Sequence, residues 1–325
     1  MRNQLRNFLA TVSCVCAMAP APLLAAASAP DLSAKTHNIK TVFLIVMENH
    51  NWTGDGGLDI KDNSAAPYIN NTLLPMASHA EEYFNPTNNH PSLPNYIWLE
   101  AGTNFGILND GPPSANSQKT KAHLVTELDK ANVSWKAYLE NADGKTCPLN
   151  NEGTTDPDGN PLFAVRHEPF SYFDNVTKNL NEHSPYCIAH LRPYTELATD
   201  IANNTLPSYV WITPNLCDDM HDNCSGNPVA HGDTWLSQNV PAILASTAYQ
   251  NGGALFITWD EAAKGDGPIG MIVLSPFAKG NGYSNTIPYD HGSTLRTIEE
   301  IFSAKPLLRD AKHEKDLSDL FSVFP

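Results

Sequence analysis

The 325-residue chain is poor in basic residues and contains no run of them. It has 20 Lys and Arg against 35 Asp and Glu, which gives a formal net charge of −15. Nucleic acids are bound through basic patches, so no nucleic-acid partner is expected. The acidic balance also argues against docking on anionic membranes. An anionic substrate stays compatible, because a bound metal ion reverses the local field.

Several catalytic signatures are also missing. No Gly-x-Ser-x-Gly elbow is present, which disfavours a serine-esterase triad. The sequence has neither a phosphate-binding Gly-rich loop nor a dinucleotide fingerprint. Apolar residues make up 41% of the chain, enough for a packed core, so wholesale disorder is excluded.

The longest apolar stretch lies at the start of the chain. Arg2 and Arg6 precede it, and small residues at 25–29 follow it. We interpret residues 1–29 as a secretory signal peptide. A lipoprotein anchored through Cys14 is disfavoured, because the apolar run before that cysteine is too short. No later segment reaches the about 18 apolar residues of a membrane span, so we predict an exported protein, secreted or periplasmic, without stable membrane insertion.

Four cysteines remain after the signal peptide is removed. An even number in an exported chain predicts two disulfides, and three pairings are open. We favour Cys217–Cys224, which closes a short loop, and Cys147–Cys187. A cysteine metal site is the alternative, and the lack of a Cys-x-x-Cys pair disfavours it.

Continuous apolar runs alternate with helical patterns along the rest of the chain. Runs without polar alternation are typical of strands that are buried on both faces of a parallel sheet. The runs are residues 41–47, 208–213, 254–259 and 271–274. Helical patterns lie at about 118–131, after Asp233, and around Leu295–Ile301. We expect Asp233 to be the N-cap of the second helix and Pro241 to kink or divide that helix. This alternation predicts an α/β fold with a mainly parallel sheet.

The polar composition of residues 141–190 differs from that of their surroundings. This segment is rich in Asn, Asp, Gly and Pro, and it holds two of the cysteines. We interpret it as a disulfide-pinned insertion in one domain that covers residues 30–325.

Polar side chains follow the apolar runs at the points where ligands bind in parallel sheets. The residues at these strand ends are Glu48, Asn49, Asp219, His221, Asp222, Asp260, Glu261, Asp290 and His291. Carboxylate and amide oxygens suit a divalent cation, whereas the same carboxylates would repel one another without one. The alternatives are that the acidic pairs cap the following segments or are solvated, and that the histidines are structural.

Ser92 lies in a short segment stiffened by Pro91 and Pro94. A hydroxyl on such a turn can be held against a metal ion, which lowers its pKa and makes it a nucleophile. The alternative is an incidental serine in a proline-rich loop.

Five motifs then occur in one order along residues 41 to about 302. They are Val46-Met47-Glu48-Asn49, His90-Pro91-Ser92-Leu93-Pro94-Asn95-Tyr96, Asp219-Met220-His221-Asp222 with Gly232-Asp233-Thr234-Trp235-Leu236, Thr258-Trp259-Asp260-Glu261, and Asp290-His291 with Leu295-Arg296-Thr297-Ile298-Glu299. In this order they resemble the blocks of the phosphoesterase family of bacterial phospholipases C and acid phosphatases. The short length is most similar to the secreted acid phosphatase branch.

The resemblance implies an alkaline-phosphatase-like three-layer sandwich with helices on both sides of the central sheet. It also implies a divalent metal cation, of unknown identity, held by Glu48, Asn49, Ser92, Asp260 and Glu261. Ser92 stands two residues before Pro-Asn, where the superfamily's phosphorylated nucleophile often lies. His221 and His291 match the family's histidines and become catalytic candidates. His90, Asp219 and Asp222 are further candidates for substrate contact or support of the site.

These expectations combine into an exported metal-dependent phosphomonoesterase of acid phosphatase type, with a phosphoserine intermediate. The expected substrate is a phosphorylated small molecule or lipid head group. One alternative is a phospholipase C-type phosphodiesterase that uses the same site. A second alternative is a secreted binding protein that has lost catalysis.

Overall fold

The computed structural model describes Met1 and residues 37–57, 59–157 and 159–325. The predicted signal peptide and Cys14 lie outside the described residues. Within these ranges, no helix combines the length and apolarity that a membrane crossing requires.

The described part of the chain contains twelve strands, most of which belong to one sheet. In chain order they are β1 (Thr41–Met47), β2 (Ser78–Ala80), β3 (Tyr83–Phe84), β4 (Trp135–Leu139), β5 (Glu152–Thr155), β6 (Pro161–Phe163), β7 (Leu191–Pro193), β8 (Tyr209–Thr213), β9 (Gly253–Trp259), β10 (Met271–Leu274), β11 (Tyr283–Asn285) and β12 (Tyr289–Asp290). Eight of them form the central sheet in the order β11-β2-β10-β9-β1-β8-β4-β7. Two small pairs, β12 with β3 and β5 with β6, lie outside it.

The central strands are parallel and buried along their whole length. β1 pairs in parallel with β8 on one side and β9 on the other. Every residue of β1, β8, β9 and β10 is buried, which explains why these strands read as unbroken apolar runs. β10 is antiparallel to both its neighbours, and it is the exception in the sheet. The four predicted strands and the mainly parallel α/β fold are therefore confirmed.

Helices flank the sheet. The α-helices are α1 (Leu74–Met76), α2 (Ser92–Ala101), α3 (Pro113–Asn116), α4 (Leu124–Lys130), α5 (Asp174–Thr177), α6 (Pro185–His190), α7 (Glu196–Asn203), α8 (Pro228–Ala245), α9 (Thr247–Gln250) and α10 (His291–Ile301). Shorter helical turns occupy Ile69–Leu73, Val165–His167, Phe170–Tyr172, Asp310–Lys312 and Ser318–Leu320. One group of contacts joins α2, α4 and α10, and another joins α7, α8 and α9. Because the central strands are buried on both faces, helices on both sides give the three-layer arrangement that was expected.

The helix predictions differ from the structure in three details. The helix expected at about 118–131 begins only at Leu124, because the backbone of Gln118 instead bonds to Tyr172 and Asp174. Asp233 lies inside α8 and is not its N-cap. Asn227 caps that helix with Pro228 after it, which is a stronger start signal. α8 also continues past Pro241 without division.

Two disulfides join the predicted cysteines in the favoured pairing. Cys147 is bonded to Cys187, and Cys217 is bonded to Cys224. The first links the ends of the segment near 141–190, which contains the β5–β6 hairpin and several short helices. The second closes the loop that follows β8. That residues 30–325 form one domain stays a prediction.

Candidate active site

The ends of β1, β8 and β9 meet at one edge of the sheet through backbone hydrogen bonds. The Glu48 N–H donates to the Asp219 carbonyl at 2.8 Å, and the Asp260 N–H donates to the Met47 carbonyl at 2.9 Å. The Asn49 N–H donates to Asp260 Oδ1 at 3.0 Å. Asn49 has a φ of 51°, a left-handed conformation that turns the chain at this point. The carboxyl ends of three strands therefore present their side chains at one place, as the sequence predicts.

Ser92 is the first residue of α2 and faces the same carboxylates. Its Oγ donates a hydrogen bond to Glu48 Oε2 at 2.9 Å. Tyr96, one turn further along the helix, donates from its hydroxyl to Glu48 Oε1 at 2.5 Å. Both side chains are buried. The helix holds a serine hydroxyl against a carboxylate at its positively polarised N-terminus.

The carboxylates at this edge are crowded in a dry environment. Burial, together with the charges of Asp260 and Asp219, raises the pKa of Glu48 well above its ordinary value. Burial raises the pKa of Asp260 to about 7. Asp260 Oδ2 is buried and has no hydrogen-bond partner. These carboxylates repel one another, and one buried carboxylate oxygen has no partner. Both features fit a bound divalent cation, which would neutralise the carboxylates.

Glu261 lies beside this group and faces a cavity of about 570 Å³, which Asn49 and His90 also line. Its Oε2 accepts hydrogen bonds from His90 Nδ1 and, at 3.1 Å, from Asn95 Nδ2. His90 Nε2 lies 3.0 Å from a carboxylate oxygen of Asp266. Burial and the charge of Asp260 raise the pKa of Glu261 to about 9. The pair His90–Glu261 therefore forms one wall of an open polar cavity next to the serine site.

His291 lies behind Asp260. Its Nε2 donates to the Asp260 carbonyl at 2.5 Å, so its Nδ1 accepts from the Tyr83 hydroxyl at 3.1 Å. The ring is fully buried, and burial lowers its pKa to about 4. Both ring nitrogens are engaged, and the bond to the Asp260 carbonyl fixes the backbone directly after β9.

The loop after β8 carries the remaining predicted residues. Asp219 Oδ1 accepts from the His221 N–H at 2.8 Å, and Asp222 Oδ1 lies 2.6 Å from His221 Nδ1. The Cys217–Cys224 disulfide closes this loop. A disulfide that restricts the loop holds the three polar side chains against the end of β1.

Two further site residues, Arg166 and His167, were not predicted. His167 Nδ1 lies 3.0 Å from Asp219 Oδ2, and its Nε2 lies 3.3 Å from Glu48 Oε1. The guanidinium of Arg166 lies 3.3 Å from His221 Nε2. Both residues belong to a short helical turn inside the segment near 141–190. They do not follow any of the four apolar runs predicted as strands, which is the pattern that identified most of the other site residues. A His next to an Arg in an acidic chain was the only available clue.

One group of side chains brings nitrogen and oxygen donors close enough to hold a metal ion. Glu48, His167 and His221 offer atoms that all lie within 4.8 Å of one another. The site thus has an oxygen-rich side, with Glu48, Asn49, Ser92 and Asp260, and a histidine side on the other face of Glu48.

Comparison with solved structures supports the fold class. A protein of the alkaline phosphatase superfamily from Vibrio parahaemolyticus aligns with a TM-score of 0.52 at 9% identity, over 87% of this chain and 72% of that one. The phosphonate monoester hydrolase of Agrobacterium radiobacter aligns with a TM-score of 0.54 at 10% identity, over 87% and 77% of the two chains. The fold is that of the alkaline phosphatase superfamily.

Comparison with sequences identifies the family. The Phosphoesterase family matches residues 62–305, and the chain belongs to it. A phosphatidylinositol-3-phosphatase from Mycobacterium tuberculosis is 26% identical over 262 residues, which cover 80% of this chain and 76% of that protein. An acid phosphatase from Aspergillus fumigatus is 28% identical over 53% of this chain, and the match spans only 36% of the fungal protein. The predicted family is confirmed, and the protein is a hydrolase of phosphate esters.

Proposed function

We propose that this protein is an exported, metal-dependent phosphomonoesterase of acid phosphatase type that forms a phosphoserine at Ser92. One observation carries the proposal. The Ser92 hydroxyl starts α2 and donates to Glu48 at 2.9 Å, beside buried carboxylates that repel one another. An incidental loop serine does not require such surroundings, whereas a metal-activated nucleophile does.

The proposed reaction has two displacement steps at phosphorus. Ser92 Oγ attacks phosphorus in line with the leaving oxygen, so that a P–Oγ bond forms while the ester P–O bond breaks. The Oγ proton points at Glu48 Oε2, which is placed to accept it. Water then attacks the phosphoserine, releases inorganic phosphate and restores the hydroxyl. A divalent cation held by Glu48, Asn49, Asp260, Glu261 and Ser92 Oγ would lower the pKa of that hydroxyl and neutralise the phosphoryl oxygens.

Two positively polarised groups assist these steps. The guanidinium of Arg166 lies close enough to lower the pKa of Glu48 and of Asp219, and it contacts the phosphoryl oxygens, while His221, paired with Asp222, lies 3.3 Å from it. His90 stands on the wall of the cavity next to Glu261, where a leaving alcohol would lie, and it gives the alcohol its proton. We assign His291 a positioning role, because its ring is fully buried between the Asp260 carbonyl and the Tyr83 hydroxyl and burial lowers its pKa to about 4.

The cavity favours a hydrophilic leaving group. Its lining includes Asn49, Asn88, His90 and Asp266, and no Lys or Arg is among its lining residues. Such a surface suits a hydroxylated alcohol better than an acyl chain. The name of the mycobacterial relative makes a phosphoinositide monoester a candidate substrate.

Export is part of the proposal for two reasons. The first 29 residues read as a signal peptide, and the two disulfides fit an oxidising compartment. N-terminal sequencing of protein recovered from outside the cytoplasm should begin after Ala27 or Ala29.

The test is hydrolysis of p-nitrophenyl phosphate by the mature protein, before and after chelation, across pH. We expect activity that is lost on chelation and restored by a divalent cation. Ser92→Ala should abolish turnover and keep the fold, whereas Ser237→Ala, a serine on the exposed face of α8, should stay active.

The alternatives predict different results. A phospholipase C-type enzyme would cleave a phosphatidylcholine head group or bis-p-nitrophenyl phosphate better than the monoester. A binding protein without catalysis would turn over neither compound under any metal condition. Near-normal activity of Ser92→Ala would contradict the nucleophile assignment.

A further inference from the structure

The histidine side of the site has a geometry that the proposed reaction does not explain. His167 Nδ1 faces Asp219 Oδ2 at 3.0 Å, and His221 Nδ1 faces Asp222 Oδ1 at 2.6 Å. Each imidazole therefore donates its Nδ1–H to a carboxylate and keeps a lone pair on Nε2. A carboxylate that orients an imidazole from behind is the usual arrangement of a metal-ligating histidine.

His167 carries the strongest indication. Its ring stacks on Tyr96, with the ring centroids 5.4 Å apart and the planes 6° from parallel, and it is 1% exposed. Its Nε2 is buried without a hydrogen-bond partner and lies 3.3 Å from Glu48 Oε1. Two lone pairs that face each other in a dry site are unfavourable, unless a cation or a proton lies between them.

The separation of the two atoms fits a shared metal ligand. Zinc binds imidazole nitrogen at about 2.0–2.1 Å and carboxylate oxygen at about 2.0–2.2 Å, with tetrahedral angles. Two such ligands lie about 3.4 Å apart. The observed distance from His167 Nε2 to Glu48 Oε1 is 3.3 Å. A ring nitrogen of His221 completes a group of atoms within 4.8 Å, and because Nδ1 pairs with Asp222, we assign Nε2 to the cation.

We propose that Glu48 Oε1, His167 Nε2 and His221 Nε2 form a second divalent-cation site of the zinc type. Glu48 would bridge this site to the oxygen-rich site on its other side, since its Oε2 faces Ser92. Imidazole ligands favour zinc and similar transition metals, whereas the all-oxygen set suits magnesium, calcium or manganese. The inference goes beyond the proposed function, with which it shares Glu48 and His221.

The charges around the group favour a cation. The carboxylates of Glu48, Asp219 and Asp222 face it, against the single guanidinium of Arg166. That guanidinium lies 3.3 Å from His221 Nε2, so it must turn away when a cation binds there. Asp110 lies 3.8 Å from Arg166 Nε and offers the alternative partner. Arg166→Gln should therefore bind the second cation at least as tightly as the wild type.

The test counts bound metal without using activity. Chelator-stripped mature protein is equilibrated with Co²⁺ as the only divalent cation, and cobalt per chain is measured by mass spectrometry. We expect two per chain in the wild type and one fewer in His167→Gln. His123→Gln is the matched control and should keep the wild-type count. His123 is also a buried histidine with Nδ1 on a carboxylate, that of Glu100, and a ring stacked on an aromatic side chain.

The outcomes separate this inference from the proposed function. A wild-type count of one that falls to zero in His167→Gln would support the histidine site and contradict the oxygen-rich one. Equal counts in His167→Gln and His123→Gln would overturn the histidine site. If His167→Gln does not fold, X-ray absorption of the zinc-loaded wild type decides. Two imidazole nitrogens at about 2.0–2.1 Å are expected, and an all-oxygen shell would overturn the site.

Discussion

Replacing Glu48 by glutamine should change stability and metal response in opposite directions. Glu48 is fully buried, and burial with the neighbouring Asp260 and Asp219 raises its pKa well above its ordinary value. An uncompensated buried charge destabilises a protein by about 3–5 kcal/mol. The amide removes that charge but loses one hydrogen bond from Ser92 or Tyr96, which contributes about 1.5–3 kcal/mol. We expect the chelated variant to be about 1–2 kcal/mol more stable than the wild type.

Urea unfolding at pH 8, in chelator and in saturating divalent cation, measures both effects of the Glu48 substitution. At a cation concentration of about 100 times the dissociation constant, the wild type should gain about 2.7 kcal/mol. The variant should gain little and should have no phosphatase activity. Glu127→Gln, at a carboxylate paired with Lys130 outside the site, is the control and should keep the wild-type gain. A Glu48→Gln protein that is less stable in chelator and still gains on cation addition would refute this reasoning.

Three further predictions follow from single features of the structure. Tyr96→Phe removes a buried hydroxyl that donates to the Glu48 carboxylate, and it should lower the free energy of unfolding by about 1.5–3 kcal/mol in urea titrations; no change would contradict the contact. Asp260 holds its proton more tightly folded than unfolded, because burial raises its pKa to about 7, so the chelated protein should lose stability as pH rises from about 4 to about 7. A thermal midpoint that rises over this range in chelator would count against it. Removal of the Cys147–Cys187 disulfide, which spans 40 residues, should cost about 4 kcal/mol, and an unchanged unfolding midpoint would disprove that role.

The oxygen-rich side of the site was predictable from sequence for a physical reason. Parallel strands place their carboxyl ends at one edge, so residues that follow buried apolar runs must meet there. Glu48 and Asp260 follow β1 and β9, which are neighbours in the sheet. Tyr96 was missed because the segment around Ser92 was expected to be a turn, whereas it starts α2, in which residues four apart share a face.

The histidine side could not be predicted in the same way. Arg166 and His167 lie on a three-residue helical turn. Such a turn is too short to show the spacing of apolar residues by which a strand or an α-helix is predicted. Their position depends on how the segment near 141–190 folds back onto the sheet. The composition of that segment suggested a disulfide-pinned insertion and gave no sign that it supplies two side chains to the site.

The expected N-cap at Asp233 was wrong because the sequence offered two start signals. Asn227 followed by Pro228 supplies both a capping side chain and a fixed φ at the first helical position. Asp233 is left inside α8, where its carboxylate accepts from the N–H groups of Tyr68 and Ile69. The residue thus caps a different turn from the one that its neighbours in sequence suggested.

Trapping the covalent intermediate tests directly whether Ser92 becomes phosphorylated during turnover. The metal-loaded mature protein is mixed with p-nitrophenyl phosphate, quenched in acid within one turnover and digested for peptide mass spectrometry. We expect one phosphate on the peptide that contains Ser92, and none on that peptide when substrate is omitted. Turnover without a phosphopeptide, or with phosphate on another residue, would contradict it.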